Sequence, residues 1–145
     1  MRAEQIAEQA ASIGLDADVL AAARAVTRGE PAGVVVADPV GRPCGLLPVC
    51  EVVAATVPGF VRQSPRLANV YDEELADRTL RMMLGRPVRE VLADSRFPVT
   101  DGDATAVELA TVMAATRSPL VVVRLAHGGW GVVTGTRLLA CLLPG

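Results

Sequence analysis

The chain has 145 residues, 51% of them apolar and 21% charged, with a formal net charge of −2. That is enough for one domain or two small repeats sharing a core, and it excludes a disordered chain. The near-neutral balance gives no electrostatic case for nucleic acid or an anionic membrane, and 3% aromatic residues are too few for a base-stacking surface.

All basic residues are Arg, as expected from coding bias, although Arg also suits bidentate phosphate binding. The cysteines, Cys44, Cys50 and Cys141, are odd in number, lack metal-ligand spacing and are accompanied by one histidine, His127. Neither a zinc site nor a disulfide framework is expected. Cys50 and Cys141 fall on apolar helices and are expected to be buried fillers. The acids Glu4 and Glu8 interrupt any signal-peptide core, and Pro48, Glu51, Pro58 and Gly59 break the most apolar stretch. No membrane insertion is expected, and the expected location is the cytoplasm.

In chain order, Glu4 to Ala11 reads as a short helix and Ser12 to Leu15 as a short strand. Asp16 or Asp18 caps a helix running to about Arg28, with an apolar stripe of Val19, Ala22, Ala23 and Val26; Gly29-Glu30-Pro31 ends it. Gly33 to Asp38, a turn through Val40-Gly41-Arg42, and Cys44 to Leu47 read as a β-hairpin, followed by a helix from Val49 to Val57. The segment from Phe60 to Arg96 has no copy elsewhere. It contains a turn at Ser64-Pro65-Arg66 and a helix opened by Asp72-Glu73-Glu74 and stopped by Gly85. The buried face of that helix is expected to be Ala76, Leu80, Met83 and Leu84, with Asp77 and Arg81 paired outside. Pro87 opens a last turn of helix through Val88, Val91 and Leu92.

Phe97 to Thr100 reads as a strand, and Asp103 or Thr105 caps a helix with the stripe Ala106, Leu109, Ala110 and Met113. Pro119 to Arg124, a turn at His127-Gly128-Gly129, and Trp130 to Thr134 form a second hairpin, and a Leu-rich helix follows. The second set repeats the first. The helix stripes lie 87 positions apart; Gly45 and Gly131 lie 86 apart, as do Pro58-Gly59 and Pro144-Gly145. The one-residue difference fits a shorter loop between helix and hairpin in the second copy. The expected division is residues 1–59 as first repeat with the N-terminal helix, 60–96 as connector and 97–145 as second repeat. The expected fold is α/β: two β-α-β-β-α repeats packed with pseudo-two-fold symmetry, each covering the other's apolar sheet face.

The ordered set Pro98-Val99, Asp103-Ala104-Thr105, Leu109-Ala110, Ser118 to Val123, Gly131 to Thr134 and Arg137-Leu138-Leu139, with its counterparts from Asp16 to Leu47, resembles a pair of cystathionine β-synthase (CBS) domains, the Bateman module. The Arg- and Ala-rich, Lys-free composition is similar to a stand-alone actinobacterial member. The resemblance implies a regulatory module rather than an enzyme. It implies an adenosyl ligand (AMP, ADP, ATP, S-adenosylmethionine or cyclic di-AMP) in a cleft between repeats, a homodimer and an unidentified regulated protein. The family signature, Gly-hydrophobic-hydrophobic-Thr/Ser-x-x-Asp, places a hydroxyl and a ribose-binding Asp at the hairpin-to-helix junction.

The signature is degraded in both copies. The second reads Gly131-Val132-Val133-Thr134-Gly135-Thr136-Arg137, with Arg in place of the acid. The first reads Gly45-Leu46-Leu47-Pro48-Val49-Cys50-Glu51, with Pro48 in place of the hydroxyl and Glu51 as a longer acid. Thr134 and Thr136 can contact a ligand, or Thr134 can cap its helix. Arg137 binds an anion or points into water, and Glu51 binds a ligand or steadies its helix end. Thr134, Gly135, Thr136, Arg137, Pro98, Val99, Val121, Val122 and Glu51 are the site residues the resemblance implies. Any anionic ligand is expected at the Thr134 junction. No nucleophile-base pair, P-loop or G-x-G-x-x-G motif appears. The alternative reading is a ligand-free interaction scaffold that kept the fold and lost the site.

Overall fold

The computed structural model describes residues 1–29, 32–92 and 97–144. The expected helix stop at Glu30-Pro31, the end of the connector at 93–96 and the pairing of Gly145 lie outside the described residues.

Two three-stranded sheets carry the fold. In the first, β2 (Gly33–Ala37) lies between a parallel β1 (Ser12–Gly14) and an antiparallel β3 (Pro43–Pro48). In the second, β5 (Leu120–Arg124) lies in the same way between β4 (Val99–Asp101) and β6 (Trp130–Thr134). Ser12 pairs with Val35 and Val35 with Leu46; Val99 pairs with Val122 and Val122 with Val132. The repeats are therefore equivalent residue by residue, with Val34–Val36 matching Val121–Val123.

The one-residue change of offset has a different origin from the one the sequence implied. The helix stripes and the central strands share one offset, so the loop between them has not shortened. The turns also match: Ala37 pairs with Pro43 and Arg124 with Trp130. The extra residue of the first copy is Cys44, which the register skips between Val36↔Gly45 and Ala37↔Pro43. A β-bulge absorbs it, and the Cys44 thiol donates to the Val36 carbonyl at 3.4 Å.

Strand alternation divides each sheet between two cores. Val34, Val36 and Leu47 face α2 (Val19–Arg28) and α3 (Val49–Ala55). Val121, Val123 and Val133 face α7 (Ala106–Thr116) and α8 (Gly135–Leu142). The opposite faces meet between the repeats, where Val35, Leu120, Val122 and Val132 are buried with Leu46, Phe97 and Trp130 against them. Gly33 is required at this contact. Its φ is +155°, and a Cβ there would lie 2.5 Å from the Leu47 carbonyl oxygen and 3.1 Å from Leu120 Cδ2.

The helix caps resolve the choices the sequence left. Asp18 accepts from the Ala21 amide at 2.9 Å, and Thr105 forms a capping box with Glu108. Asp72 caps α5 (Glu73–Leu84), accepting from the Leu75 amide at 2.7 Å.

Two short helices are exchanged between the repeats. α1 (Ala3–Ile6) precedes β1, yet it packs on the second repeat: Ala3 and Ile6 are buried with Leu109, Val121 and Val133. The Ala3 amide donates to Ala104 O at 2.8 Å, and the Glu4 amide to Gly102 O at 2.9 Å. α6 (Val88–Val91) precedes β4, yet Val88 is buried with Ala22, Val34 and Val52 of the first repeat, and its amide donates to Ala17 O at 2.7 Å. The expected division put the N-terminal helix with the first repeat. A four-residue helix covers only what lies beside it, and here that is the second sheet. The chain from Ala7 to Ala11, expected to be helical, is not helical: α1 ends at Ile6 and Glu8 bridges to Val132.

The connector departs from expectation on α5. Of the expected buried face, Met83 is buried and Leu84 half-buried, while Ala76 is exposed and Leu80 is 41% exposed. Ala76, Thr79 and Leu80 instead line an open apolar groove with Val57, Pro58, Val61 and Tyr71. These come from α4 (Gly59–Gln63), its approach, and the end of a 3₁₀ helix over Pro65–Val70, the segment expected as a simple turn. Arg81 Nε donates to the Asp77 main-chain oxygen at 3.4 Å rather than to its carboxylate. Cys50 is exposed rather than buried, because α3 turns Val52 and Ala55 inward. Cys141 is half-buried.

Candidate functional site

The two hairpin-to-helix junctions are equivalent by register but differ in what surrounds them. At each, the glycine of the strand is crossed by the segment that follows an exchanged helix. A Cβ on Gly131 would lie 3.0 Å from the Glu8 carbonyl oxygen and 3.2 Å from Ala7 Cβ; one on Gly45 would lie 2.9 Å from Leu92 Cδ2. Glycine stands at both places because chain passes close over it.

At the second junction the segment around Glu8 packs against the strand and the start of the helix. Glu8 and Val132 exchange two main-chain hydrogen bonds of 2.9 Å each. Arg137 Nε lies 3.5 Å from the Glu8 carboxylate and donates to Ile6 O at 3.4 Å. The Thr134 hydroxyl, in a side chain that is 7% exposed, accepts from the Arg137 amide at 3.1 Å and caps α8. The cap is one of the readings the sequence left open for Thr134. Gly135 donates its amide to Pro119 O at 2.9 Å, and Thr136 is exposed. Thr134 to Arg137 thus form one cluster, and the positive charge expected to meet a ligand anion already meets an anion of the chain.

The first junction opens into a cleft of about 290 Å³. Its walls come from both repeats. Gly45, Leu46, Leu47, Pro48 and Glu51 supply one side, and Phe97, Pro98, Thr116, Arg117 and Ser118 the other, with Val91 and Leu92 between. The structure therefore brings Glu51 and Pro98 together, apart from the Thr134 cluster. Val99 packs against the core between the sheets; Val121 and Val122 are fully buried, Val121 among the helices and Val122 between the sheets. None of the three lines the cleft.

Arg62, Arg66, Arg117 and Arg124 read in the sequence as surface arginines that could alternatively line a phosphate-binding cavity, and of the four Arg117 lines this cleft. Arg117 follows the last residue of α7 in left-handed backbone, φ 52° and ψ 31°. A Ser-Pro pair after the helix marks a chain break, but a left-handed turn on arginine carries no compositional signal. Ser118 does not offer its hydroxyl freely, since it donates to Leu120 O at 2.6 Å. The cleft can take a planar apolar group against Leu46, Phe97 and Pro98, a hydroxyl donor at Glu51 and an anion at Arg117.

Elsewhere the chemistry is sparse. His127 is exposed in its turn. Burial and the neighbouring Asp38 carboxylate push the Cys44 thiol pKa up. Among the described residues, no group of three or more His, Cys, Asp and Glu is placed to hold a metal, and no helix is long and apolar enough to cross a membrane.

No family model matches the chain, and no curated protein matches it. Solved structures do. A CBS-domain-containing protein of unknown function from Kribbella flavida is 34% identical, with 99% of this chain and 100% of that one aligned and a TM-score of 0.75. The CBS domain of a membrane protein from Sphaerobacter thermophilus shares the fold at 15% identity, covering 99% and 88% of the two chains, with a TM-score of 0.71. CBSX2, solved in complex with AMP, shares it at 14% identity, 97% and 94% coverage and a TM-score of 0.67.

Proposed function

This chain belongs to the CBS-domain family, and from that premise we propose that it is a regulatory module, working in the cytoplasm without catalysis, that binds an adenosyl ligand in the cleft at the first junction. The observation that carries the reading is the cleft of about 290 Å³ with one wall from each repeat. Apolar walls suit an adenine ring, and the Glu51 carboxylate accepts from ribose hydroxyls in the place of the family's shorter acid. The volume lies at the lower end for small-molecule sites, which favours a mononucleotide over cyclic di-AMP. The AMP complex of CBSX2 supports the ligand class.

A ligand touching both repeats binds best to one arrangement of them and shifts the population toward it. A partner protein reads that shift. Two chains supply the assembly: Val53 on α3 and Leu139 on α8 are equivalent positions, 59% and 61% exposed, and Leu142 and Leu143 extend the apolar face. Such a face, repeated about the pseudo-two-fold axis, suits an isologous homodimer.

Two observations favour the scaffold reading: Pro48 removes the junction hydroxyl of the first copy, and Glu8 meets Arg137 of the second. Thermal unfolding with AMP, ADP, ATP, S-adenosylmethionine and cyclic di-AMP separates the two readings. A ligand at 100 times its Kd stabilises the fold by about 2.7 kcal/mol. A melting temperature that none of the five compounds moves leaves the scaffold.

A further inference from the structure

The longest described helix, α5, is poorly packed. Of its 12 residues Met83 alone is buried. A helix in water is held chiefly by its packed face, and this one turns apolar surface outward. Leu75 and Met82, one heptad apart, lie on one stripe beside the groove-lining Ala76 and Leu80, and Met82 is 74% exposed. The helix packs against α2 and closes the groove beside the end of α3, so it borders the helix face that carries Val53. The second repeat has no copy of it.

Charge on α5 is sorted along its length. Glu73, Glu74 and Asp77 precede Arg78 and Arg81; all are exposed, and none has an ion-pair partner among the described residues. The helix dipole accounts for the acids of the first turn and for Arg81 in the last. It does not account for Leu75 and Met82 facing water between them. Acids followed by bases form a self-complementary order, because a copy running antiparallel sets its bases against these acids. Glu74 and Arg81 fall on one flank of the Leu75–Met82 stripe, and antiparallel helices bring like flanks together. Glu74 then meets Arg81 of the second copy, and Leu75 meets its Met82. The helices α7 and α8 suit α5 less well as a surface. Between them they carry only Glu108 and Arg137, so charges laid against them lose water without gaining partners.

We propose that α5 sets the arrangement of the homodimer by pairing antiparallel with α5 of a second copy of this chain, first repeat beside first repeat. This pairing rests on the homodimer proposed above and deepens it by naming the surface that orients the two chains. A two-fold axis makes each contact twice, so one Glu74–Arg81 pair brings a second. Exposed pairs of this kind add little affinity one by one; they suppress the wrong register and the wrong neighbour.

The test is charge reversal with complementation. One variant carries Arg78→Glu and Arg81→Glu, the other Glu74→Arg and Asp77→Arg. Sedimentation over a dilution series reads the self-association of the parent, of each variant and of their equimolar mixture. Each variant alone is expected to self-associate at least about ten-fold more weakly than the parent, and the mixture to recover the parent's dimer. Thermal unfolding and circular dichroism check each fold. Where a double variant loses helix, the single exposed change Met82→Glu replaces it, with the same expected weakening. Variants that dimerise as tightly as the parent overturn the α5 pairing and leave the homodimer standing, as does a mixture no tighter than its components. A parent that stays monomeric across the series removes the homodimer, and the α5 pairing with it.

Discussion

Glu8 and Arg137 form an ion pair of 3.5 Å across the second junction, though 129 residues separate them in the chain. Their side chains are 49% and 45% exposed, so the pair is screened by solvent. A double-mutant cycle with Glu8→Ala and Arg137→Ala is expected to return a coupling of about 0.2–1 kcal/mol. The consequence for binding is larger. Arg137→Ala is expected to leave AMP affinity within about two-fold of the parent, whereas Glu51→Ala weakens it about ten-fold or more. Calorimetry that ranks the two variants the other way would move the ligand to the second junction, where the sequence expected it.

The crossing glycines are expected to differ in tolerance. A methyl on Gly131 meets main chain, the Glu8 carbonyl oxygen at 3.0 Å, which is itself paired with Val132. A methyl on Gly45 meets the end of the Leu92 side chain, which can rotate. Gly131→Ala should therefore cost about 1–3 kcal/mol in denaturant unfolding, and Gly45→Ala less. Equal costs would refute the account of the second junction as a backbone crossing.

The apolar faces of α3 and α8 make the oligomeric state sensitive to single charges. Val53→Arg and Leu139→Arg each replace an exposed apolar side chain that touches no core cluster. Each variant should keep the helical circular dichroism of the parent while light scattering falls from dimer to monomer mass. A parent already monomeric at tens of micromolar would sink the homodimer.

Cys44 gives the alkaline limb of stability a known sign. Burial, then the nearby Asp38 charge, raises its thiol pKa above the ordinary value, so the folded state holds the proton longer than the unfolded one. The stability it contributes is fully present below the unfolded thiol value and is lost as pH rises through the folded one, above pH about 8.5. Because Cys44 is exposed and its surroundings are screened by solvent, Cys44→Ala should flatten the decline of the melting temperature in that window only slightly. An unchanged alkaline slope would count against the bulge environment.

Much of this fold is written in local pattern. Stripes of 3.6-residue period marked α2 and α7, β-branched runs marked β2 and β5, and Asp72 announced one helix start while the caps of α2 and α7 were each narrowed to two residues, because each signal depends on residues a turn or a strand apart. Duplication added the equivalence of Val34–Val36 and Val121–Val123, since two copies of one unit fold alike. What local pattern cannot carry is which surface a short element finds. Ala3 and Ile6 read as two apolar residues, and only the assembled sheets decide that they complete the second repeat's core rather than the first's. The bulge at Cys44 is a matter of register, which a count of residues between motifs misassigns to a loop. The inequality of the two clefts is tertiary in the same sense. Thr134 and Arg137 look like the better anion site in the sequence, because nothing local shows that Glu8 arrives from 129 residues away to meet the charge. Arg117 and Glu51 share a cleft only because the two sheets pack face to face, bringing the end of α7 beside the start of α3.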